Sequence, residues 1–518
     1  MSELTKRLHQ VLAKSKDSFI QEDGQWYSTN EFLTEIEKIQ HYLIAANVRP
    51  GDRILVSYPN SYQFAYIYFA IIDYGAVVAS INPNMPEFEL KTFIERANPI
   101  CGFVGEEHAA FLFHSNRKVH TLKNLFVLNS ASNELKRFEY LQEDWYETTI
   151  PVVSNPPSIP EPSDDAVAIL LYTSGTTGRP KAVGLMHKHI LAAAENIIRS
   201  HQLSCKDITY CFLPLFHINA QIVALISTCL SDGKIIIAPK FSASKFWNII
   251  QENGVTWVSA VPAIISILLN TPQPDNIPSS LRFIRSASAQ LPSLHAKRFE
   301  QMTGIPLIQS YGMTEAASQI CVNPLPPGKR VLGSVGLPVG LELRIVDDND
   351  KNVEPMNIGE ITIRGNNVIT FYEQADNQHD FRNGWFHTGD LGYINDEGYV
   401  FIVGRKKEMI NRGGEKISPY EVEDVIRQIP TIKQVAVIGL PHPVYGEQVA
   451  AYVISSLPNV DPKEMIKEVT SHCQNALSNY KCPAIVKVVK EIPVGPTGKI
   501  QRKKLKEMEI AYSKVQNH

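Results

Sequence analysis

The segment LLYTSGTTGRPKAV, residues 170–183, combines glycines, small hydroxyl side chains and a single lysine just after an apolar run. Seven of the eight residues at 173–180 are Gly, Pro, Ser or Thr, and Lys181 follows them. Glycines let backbone N–H groups approach a phosphate, hydroxyl groups add donors, and a lysine adds positive charge. A flexible surface turn is the ordinary alternative, because the same residue types are common in loops. The repeated hydroxyl-glycine units favour a phosphate-binding loop beyond a buried strand.

This loop does not match the Walker A pattern G-x-x-x-x-G-K-[ST]. Gly178 is followed by Arg179 and Pro180, and Ala182 follows Lys181. The sequence therefore argues against a P-loop nucleotide hydrolase while keeping the prediction of a phosphate site.

Bulk properties exclude several classes of protein. A length of 518 residues exceeds a single hydrophobic core, and a net charge of −3 gives no reason to expect nucleic acid as a partner. The seven cysteines include no C-x-x-C pair, which is typical of reduced thiols in a cytosol. The apolar residues 64–81 are interrupted by Asp73, Gly75 and Ser80, which predicts a buried helix running into a strand rather than a membrane span. We expect a cytoplasmic protein.

The order of patterns along the chain predicts an α/β fold. Strand–helix–strand patterns at 52–83 and 233–262 indicate largely parallel sheets covered by helices. Residues 341–365 are typical of short antiparallel strands, and a compact α+β pattern follows residue 405. We place a domain boundary near Arg405.

Four further segments carry candidate functional residues: QSYGMTEAAS at 309–318, the segment 384–405 with Asp390 expected on a turn, NRGGEKISPYEVE at 411–423, and PVGPTGKIQRKKL at 493–505. Taken singly, each has an ordinary explanation as a solvated helix residue, a turn former, a loop or a surface lysine. Together with the glycine-rich loop, and in this order, they resemble the acyl-adenylate-forming superfamily. That superfamily includes acyl-CoA synthetases, adenylation domains of peptide synthetases and firefly luciferases, and the resemblance covers nearly the whole chain.

The resemblance implies a two-part architecture. A large N-terminal domain, residues 1–404, would consist of packed α/β subdomains plus a β-rich subdomain. A small mobile α+β domain, residues 405–518, would cap it and would rotate about a hinge at Lys407. The resemblance leaves open whether the chain forms a homodimer.

The resemblance also assigns ATP contacts. The β- and γ-phosphates would bind the loop of Thr173, Ser174, Gly175, Thr176, Thr177, Gly178 and Lys181. The adenine would lie between Tyr311–Gly312 and the run 286–290, which includes Ser288, Ala289 and Gln290. Asp390 would accept hydrogen bonds from the ribose hydroxyls, with Arg405 nearby.

The implied catalytic residues are Lys499, Thr314 and Glu315. Thr314 would contact the α-phosphate, and Glu315 would hold Mg²⁺, a hard cation suited to carboxylate and phosphate oxygens. Lys499 would bridge the substrate carboxylate and the α-phosphate as the acyl-adenylate forms. CoA would then take the acyl group, with Gly413 and Gly414 near its path.

Two departures from the family pattern bear on function. Ala182 stands where the family usually has glycine, and one added methyl should matter little. Asn411 stands where luciferases and coumarate-type ligases carry a lysine, which argues against a luciferase-like oxidation.

The resemblance implies that the substrate is a small carboxylic acid. Amino-acid-activating domains have an aspartate at the position of His217, whereas acyl-CoA ligases have a histidine there, as this chain does. His217 could instead be a structural histidine in the core. The acyl pocket would contain His217, Asn219, Ser286, Met313 and Ser318. The segments PLFHINAQ and KFSASKFW look most like carnitine- or crotonobetaine-CoA ligases, which suggests a betaine-type acid, and somewhat like ligases of short- and medium-chain acids. A stand-alone enzyme that loads a separate carrier protein is the alternative.

Overall fold

The computed structural model describes residues 1–14, 17–116, 122–129, 134–141, 144–150, 161–173, 181–373, 379–458, 460–495 and 500–516. In these ranges the helices are α1 Glu3–Leu12, α2 Thr29–Ala45, α3 Tyr62–Tyr74, α4 Glu87–Ala97, α5 Glu106–Asn116, α6 His187–His201, α7 Ser227–Leu230, α8 Ala243–Asn253, α9 Pro262–Leu269, α10 Ser293–Thr303, α11 Pro419–Ile426, α12 Pro462–Ala476 and α13 Arg502–Gln516. A π-helical segment covers Asn219–Ile226, and a 3₁₀ turn covers Thr314–Ala316.

The strands of the same ranges are β1 Ile20–Glu22, β2 Gln25–Tyr27, β3 Arg53–Ser57, β4 Val77–Ser80, β5 Cys101–Gly105, β6 Asn124–Leu128, β7 Leu135–Leu141, β8 Asp144–Thr148, β9 Val167–Thr173, β10 Lys181–Met186, β11 Ile208–Cys211, β12 Lys234–Ile237, β13 Trp257–Ala260, β14 Phe283–Ser286, β15 Leu307–Tyr311, β16 Cys321–Val322, β17 Leu337–Pro338, β18 Glu342–Val346, β19 Gly359–Arg364, β20 Phe381–Arg382, β21 Trp385–Ile394, β22 Val400–Arg405, β23 Ile410–Arg412, β24 Glu415–Ile417, β25 Ile432–His442, β26 Gly446–Ser455 and β27 Ile485–Val488.

Two large sheets form the N-terminal part of the protein. One has the strand order β10-β9-β4-β3-β5-β6-β7-β8, and the other has the order β17-β16-β15-β14-β13-β11-β12-β1-β2. Their central strands are parallel, from β9 to β6 in the first sheet and from β15 to β1 in the second. Parallel strands covered on both faces are buried along their length, as β4 and β5 are. The predicted α/β class is confirmed.

The apolar residues 64–81 form a buried helix followed by a buried strand, as predicted. Ser61 caps α3 by accepting a hydrogen bond from the backbone of Phe64, and Gly75 ends the helix in the left-handed conformation. All four residues of β4 are buried. In the part of the chain that the structure describes, no helix is long and apolar enough to cross a membrane.

Two smaller sheets follow the large ones. The first is antiparallel, with the order β18-β19-β21-β20 and β22 paired to β21, as the turn signals after residue 341 predicted. The second has the order β24-β23-β26-β25, with β27 paired to β26, and α11 and α12 pack together beside it. Two hydrophobic clusters are confined to residues 410–505, so this last segment has a core of its own. A boundary at residue 405, and mobility about it, stay predictions.

Candidate active site

The glycine-rich loop begins and ends on a described hairpin. Thr173 is the last residue of β9 and lies opposite Lys181, the first residue of β10, in an antiparallel register. The strand that leads into the loop is buried over most of its length, as predicted. Ser174, Gly175, Thr176, Thr177 and Gly178 lie outside the described residues.

Lys181 and Glu315 are joined through one tyrosine. The Lys181 ammonium lies 4.6 Å from the centre of the Tyr372 ring and also pairs with Asp380. The Tyr372 hydroxyl donates to Glu315 Oε1 at 3.2 Å. The predicted phosphate-binding lysine and the predicted metal-binding carboxylate therefore lie in one cluster. Sequence reasoning missed Tyr372 and Asp380, because the segment around them carries no recognisable motif.

Glu315 is held inward by a sharp turn. It is 6% exposed, and burial raises the pKa of its carboxyl. A Cβ added at Gly312 would lie 1.4 Å from the carbonyl oxygen of Ser318, so the chain can double back here only with glycine. Thr314 begins the 3₁₀ turn that follows, and the Ser318 backbone donates to the carbonyl of Met313 at 3.0 Å.

Asp390 lies in a network of its own beside this turn. Arg405 Nε is 2.6 Å from Asp390 Oδ1, and the Tyr311 hydroxyl donates to Asp390 Oδ2 at 2.5 Å. The expectation that Asp390 occupies a turn is wrong, because it lies within β21 directly opposite Arg405 of β22. Gly389, with φ of +71°, precedes it where the pairing of β21 with β19 shifts register, so the turn-like sequence forms a bulge in a strand.

The predicted adenine run follows the end of β14. Ser286, the last residue of that strand, lies opposite Gln309 of β15, two residues before Tyr311. Ser288, Ala289 and Gln290 come next and are exposed. The structure therefore brings the 286–290 run and Tyr311 to the same edge of the sheet, where ligands bind in open α/β sheets.

The predicted acyl pocket lies beside that run. Burial lowers the pKa of His217 to about 4, so the ring is neutral, and its Nε2 is buried with no hydrogen-bond partner among the described residues. Asn219 Nδ2 donates to Ser288 Oγ at 3.4 Å. Asn219 Oδ1 accepts from Ser259 Oγ at 3.1 Å and from Arg285 Nη1 at 3.4 Å. Sequence reasoning missed Ser259 and Arg285; an arginine within an otherwise apolar strand was a signal available for the second.

The C-terminal segment contacts one of the predicted site residues and contains others. Gln290 Nε2 donates to Asp424 Oδ2 of α11 at 2.8 Å. Gly413 and Gly414 form the turn between β23 and β24, with φ values of +62° and +99°. Lys407 lies between β22 and β23.

Lys499 lies outside the described residues. Val494 and Ile500, on either side of it, form an antiparallel bridge.

The side chains that could bind a metal here suit Mg²⁺ shared with a phosphate better than a metal ion bound by protein side chains alone. Within the described residues, no group of three or more His, Cys, Asp or Glu side chains could form a metal cage. A single buried carboxylate such as Glu315 suits Mg²⁺, which takes one or two carboxylates together with substrate phosphates.

Comparisons with known proteins agree with this geometry. Residues 9–373 match the family model of the AMP-binding enzymes, and residues 421–499 match the model of the AMP-binding enzyme C-terminal domain. The chain is 35% identical over 492 residues to sulfoacetate–CoA ligase of Cupriavidus necator, with 93% of each chain covered. It is 34% identical over 477 residues to oxalate–CoA ligase of Arabidopsis thaliana, with 90% of each covered.

A solved structure is similar over the same extent. The o-succinylbenzoate coenzyme A synthetase of Bacillus subtilis, in complex with ATP and magnesium ion, is 26% identical and superposes with a TM-score of 0.84, covering 98% of this chain and 99% of that one. Enzymes of this type use ATP, Mg²⁺ and CoA, which confirms the predicted cofactors. The predicted superfamily is confirmed as well: the chain belongs to the AMP-binding enzyme family and is an AMP-forming acid–thiol ligase of the CoA-ligase type.

Proposed function

We propose that this ligase activates a small carboxylic acid in the cleft formed by Lys181, Glu315, Asp390 and their neighbours, and transfers the acyl group to CoA. The observation that carries the proposal is the meeting of two polar networks at the carboxyl ends of β14 and β15. One joins Lys181 to Glu315 through Tyr372, and the other joins Asp390 to Arg405 and Tyr311.

Asp390 is suited to the ribose. Its carboxylate accepts from Tyr311 and Arg405 and lies within a rigid strand, so its oxygens point in a set direction. Ribose hydroxyls would be further donors to the same two oxygens. Tyr311 would then form one side of the adenine pocket, with Ser288, Ala289, Gln290 and Gly312 near it.

Glu315 is suited to magnesium. Because burial raises the pKa of this carboxyl, its charged form gains more from a nearby cation than an exposed carboxylate would. Magnesium, when bound, neutralises charge on the phosphates of ATP. Thr314, one residue earlier in the same turn, would hold the α-phosphate, and Thr173 and Lys181 would hold the phosphates that leave.

The chemistry proceeds in two balanced steps. A carboxylate oxygen of the acid attacks the α-phosphorus, the bond to the β-phosphate oxygen breaks, and pyrophosphate leaves. The CoA thiol then loses its proton to solvent and attacks the carbonyl carbon of the adenylate. The bond between that carbon and the phosphate oxygen breaks, and AMP leaves with its electron pair. Lys499 would stabilise negative charge in the first step, so the work of the protein is positioning and electrostatics.

For the second step, the C-terminal domain would rotate relative to the N-terminal domain. Lys499 would leave the α-phosphate so that pantetheine can approach past Gly413 and Gly414. The contact between Gln290 and Asp424, which lie on opposite sides of the proposed hinge at Lys407, would have to break or rearrange.

The acid is proposed to be short or medium in length. Relatives of this chain are named for sulfoacetate and oxalate, which are small acids with a second anionic group. A betaine-type acid has less support, because the positively charged Arg285 borders the predicted pocket at Asn219 and would repel a quaternary ammonium.

The test is a panel of carboxylic acids assayed with ATP, Mg²⁺ and CoA, in which AMP, pyrophosphate and the thioester are measured separately. We expect all three products in equal amounts. Formation of ADP and phosphate would refute the adenylate mechanism. AMP without thioester would favour the second candidate, an enzyme that loads a carrier protein.

We also propose a cytoplasmic location and leave a homodimer as a hypothesis. All seven cysteines lie in the described residues and none forms a disulfide, which suits a reducing compartment. Cell fractionation checks the location, and sedimentation equilibrium of the purified protein checks the assembly.

A further inference from the structure

One arginine lies buried at the centre of the second large sheet. Arg285 belongs to β14 and is 1% exposed. Its Nη1 donates to Ser259 Oγ at 3.2 Å and to Asn219 Oδ1 at 3.4 Å, and its Nη2 donates to Ser310 Oγ at 2.9 Å. All three acceptors are uncharged.

The charge of this arginine is not balanced by the described part of the chain. No carboxylate among the described residues lies within ion-pair distance of Arg285, and its Nε is buried with no hydrogen-bond partner there. Burial lowers the pKa of its guanidinium to about 9, which still leaves it charged near neutral pH. A neighbouring histidine, His201, is neutral and so adds no further positive charge, since burial and the charge of Arg285 hold its pKa well below the usual value.

The other two arginines that are buried in the described part of the chain are paired. Arg502 has Nη2 at 2.6 Å from Glu423, and Arg137 pairs with Glu139. An unpaired buried charge is strongly destabilising, and folds usually supply a counter-charge. The contrast indicates that the counter-charge of Arg285 is an anion that the described residues do not supply.

The position of Arg285 shows what kind of anion could reach it. Asn219, which accepts from Arg285, also donates to Ser288 of the predicted adenine run and lies two residues after His217. The guanidinium is therefore connected by a single side chain to the place where the acid is expected to meet the nucleotide. The phosphates of ATP already have a proposed partner in Lys181, which is linked to Glu315 through Tyr372.

We propose that the substrate acid carries a second anionic group, a carboxylate or a sulfonate, and that Arg285 binds it. This inference rests on the proposed function, because one carboxylate must still react at the α-phosphorus. Asn219, Ser259 and Ser310 act as positioning residues that fix the guanidinium plane. Fatty acids and betaines lack the required anion at their far end, so Arg285 determines specificity against both.

The test compares acids matched in length. Oxalate, malonate and sulfoacetate are each assayed against acetate, propionate and butyrate, with kcat/KM taken from CoA-dependent AMP release. The variants are Arg285→Met, which keeps the volume and removes the charge, and Arg285→Lys, which keeps the charge and loses the planar fork. Arg137→Met is the matched control, because it also removes a buried arginine from the N-terminal part of the protein.

We expect the unaltered enzyme to prefer at least one dianionic acid by about 100-fold in kcat/KM, and Arg285→Met to lose that preference mainly through a higher KM. Arg285→Lys should retain part of the preference, and Arg137→Met should retain all of it. The dianionic acid should also raise the thermal unfolding temperature of the unaltered protein and not that of Arg285→Met.

Two results would overturn the inference. The first is that kcat/KM is the same for monoanionic and dianionic acids and that Arg285→Met changes neither value. The pocket then does not select a second anion, although the ligase function stands. If no acid of either kind yields AMP, the proposed function fails and this inference fails with it. If Arg285→Met does not fold, Arg285→Lys decides between the two roles. A tenfold loss of kcat/KM for all acids alike, with the preference for dianionic acids unchanged, would indicate that Arg285 is only structural.

Discussion

Replacing Glu315 with glutamine should separate folding from catalysis. The side chain is 6% exposed, and burial raises the pKa of its carboxyl above the ordinary value of 4.5. A carboxyl whose pKa is raised in the folded state stabilises the fold below the pKa of the unfolded chain, and that contribution is lost as pH rises toward the folded-state pKa. Near neutral pH, without ligands, Glu315→Gln should therefore unfold at the same temperature as the unaltered protein or higher.

Catalysis should change in the opposite direction. A glutamine keeps the shape and can still accept from the Tyr372 hydroxyl, but it has no charge for Mg²⁺. Loss of one partner of a desolvated charge pair costs about 2–5 kcal/mol, which corresponds to roughly 30- to 4,000-fold in rate at limiting Mg²⁺. The assay is pyrophosphate release against Mg²⁺ concentration, together with thermal unfolding from pH 4 to pH 8.

The matched control is Glu423→Gln. Glu423 is completely buried but is paired with Arg502 and Arg427, so its replacement should lower the unfolding temperature and leave the Mg²⁺ dependence unchanged. Near-normal turnover of Glu315→Gln with unchanged Mg²⁺ dependence would remove the metal assignment. A clear drop in its ligand-free unfolding temperature at neutral pH would refute the burial argument.

Three further substitutions follow from the same site. Lys499→Ala should abolish acyl-adenylate formation yet leave thioester formation from supplied acyl-adenylate within about tenfold of normal, as single-turnover kinetics of each half-reaction will show. Lys407→Pro should form the adenylate but stall before the thioester, because proline restricts the backbone at the proposed hinge; equal loss of both half-reactions in both variants would contradict the rotation model. Gly312→Ala should lower the free energy of unfolding by about 3 kcal/mol, since the new methyl would overlap the Ser318 carbonyl, and urea titration that finds a change within experimental error would contradict this geometry.

Local patterns in the sequence determined the elements of the fold well. The apolar residues 64–81 form α3 and β4, and the repeated strand–helix–strand patterns form parallel sheets, because periodicity and glycine positions act over a few residues. The order of the motifs identified the superfamily, because each motif is a short run of residues that is recognisable without the fold. Asp390 shows the limit of local patterns: GDLG is typical of a turn, but pairing with β19 on one side and β22 on the other makes it a bulge in β21.

The state of each charged group was decided only by the tertiary structure. Glu315 meets Tyr372, 57 residues later in the chain, and Arg285 meets Asn219, 66 residues earlier. Desolvation and pairing depend on what lies within a few ångströms in space, and the sequence does not state those distances. The sequence by itself therefore determined that this protein is an adenylate-forming ligase. Only the folded chain showed that the buried guanidinium of Arg285 has no carboxylate partner among the residues that the structure describes.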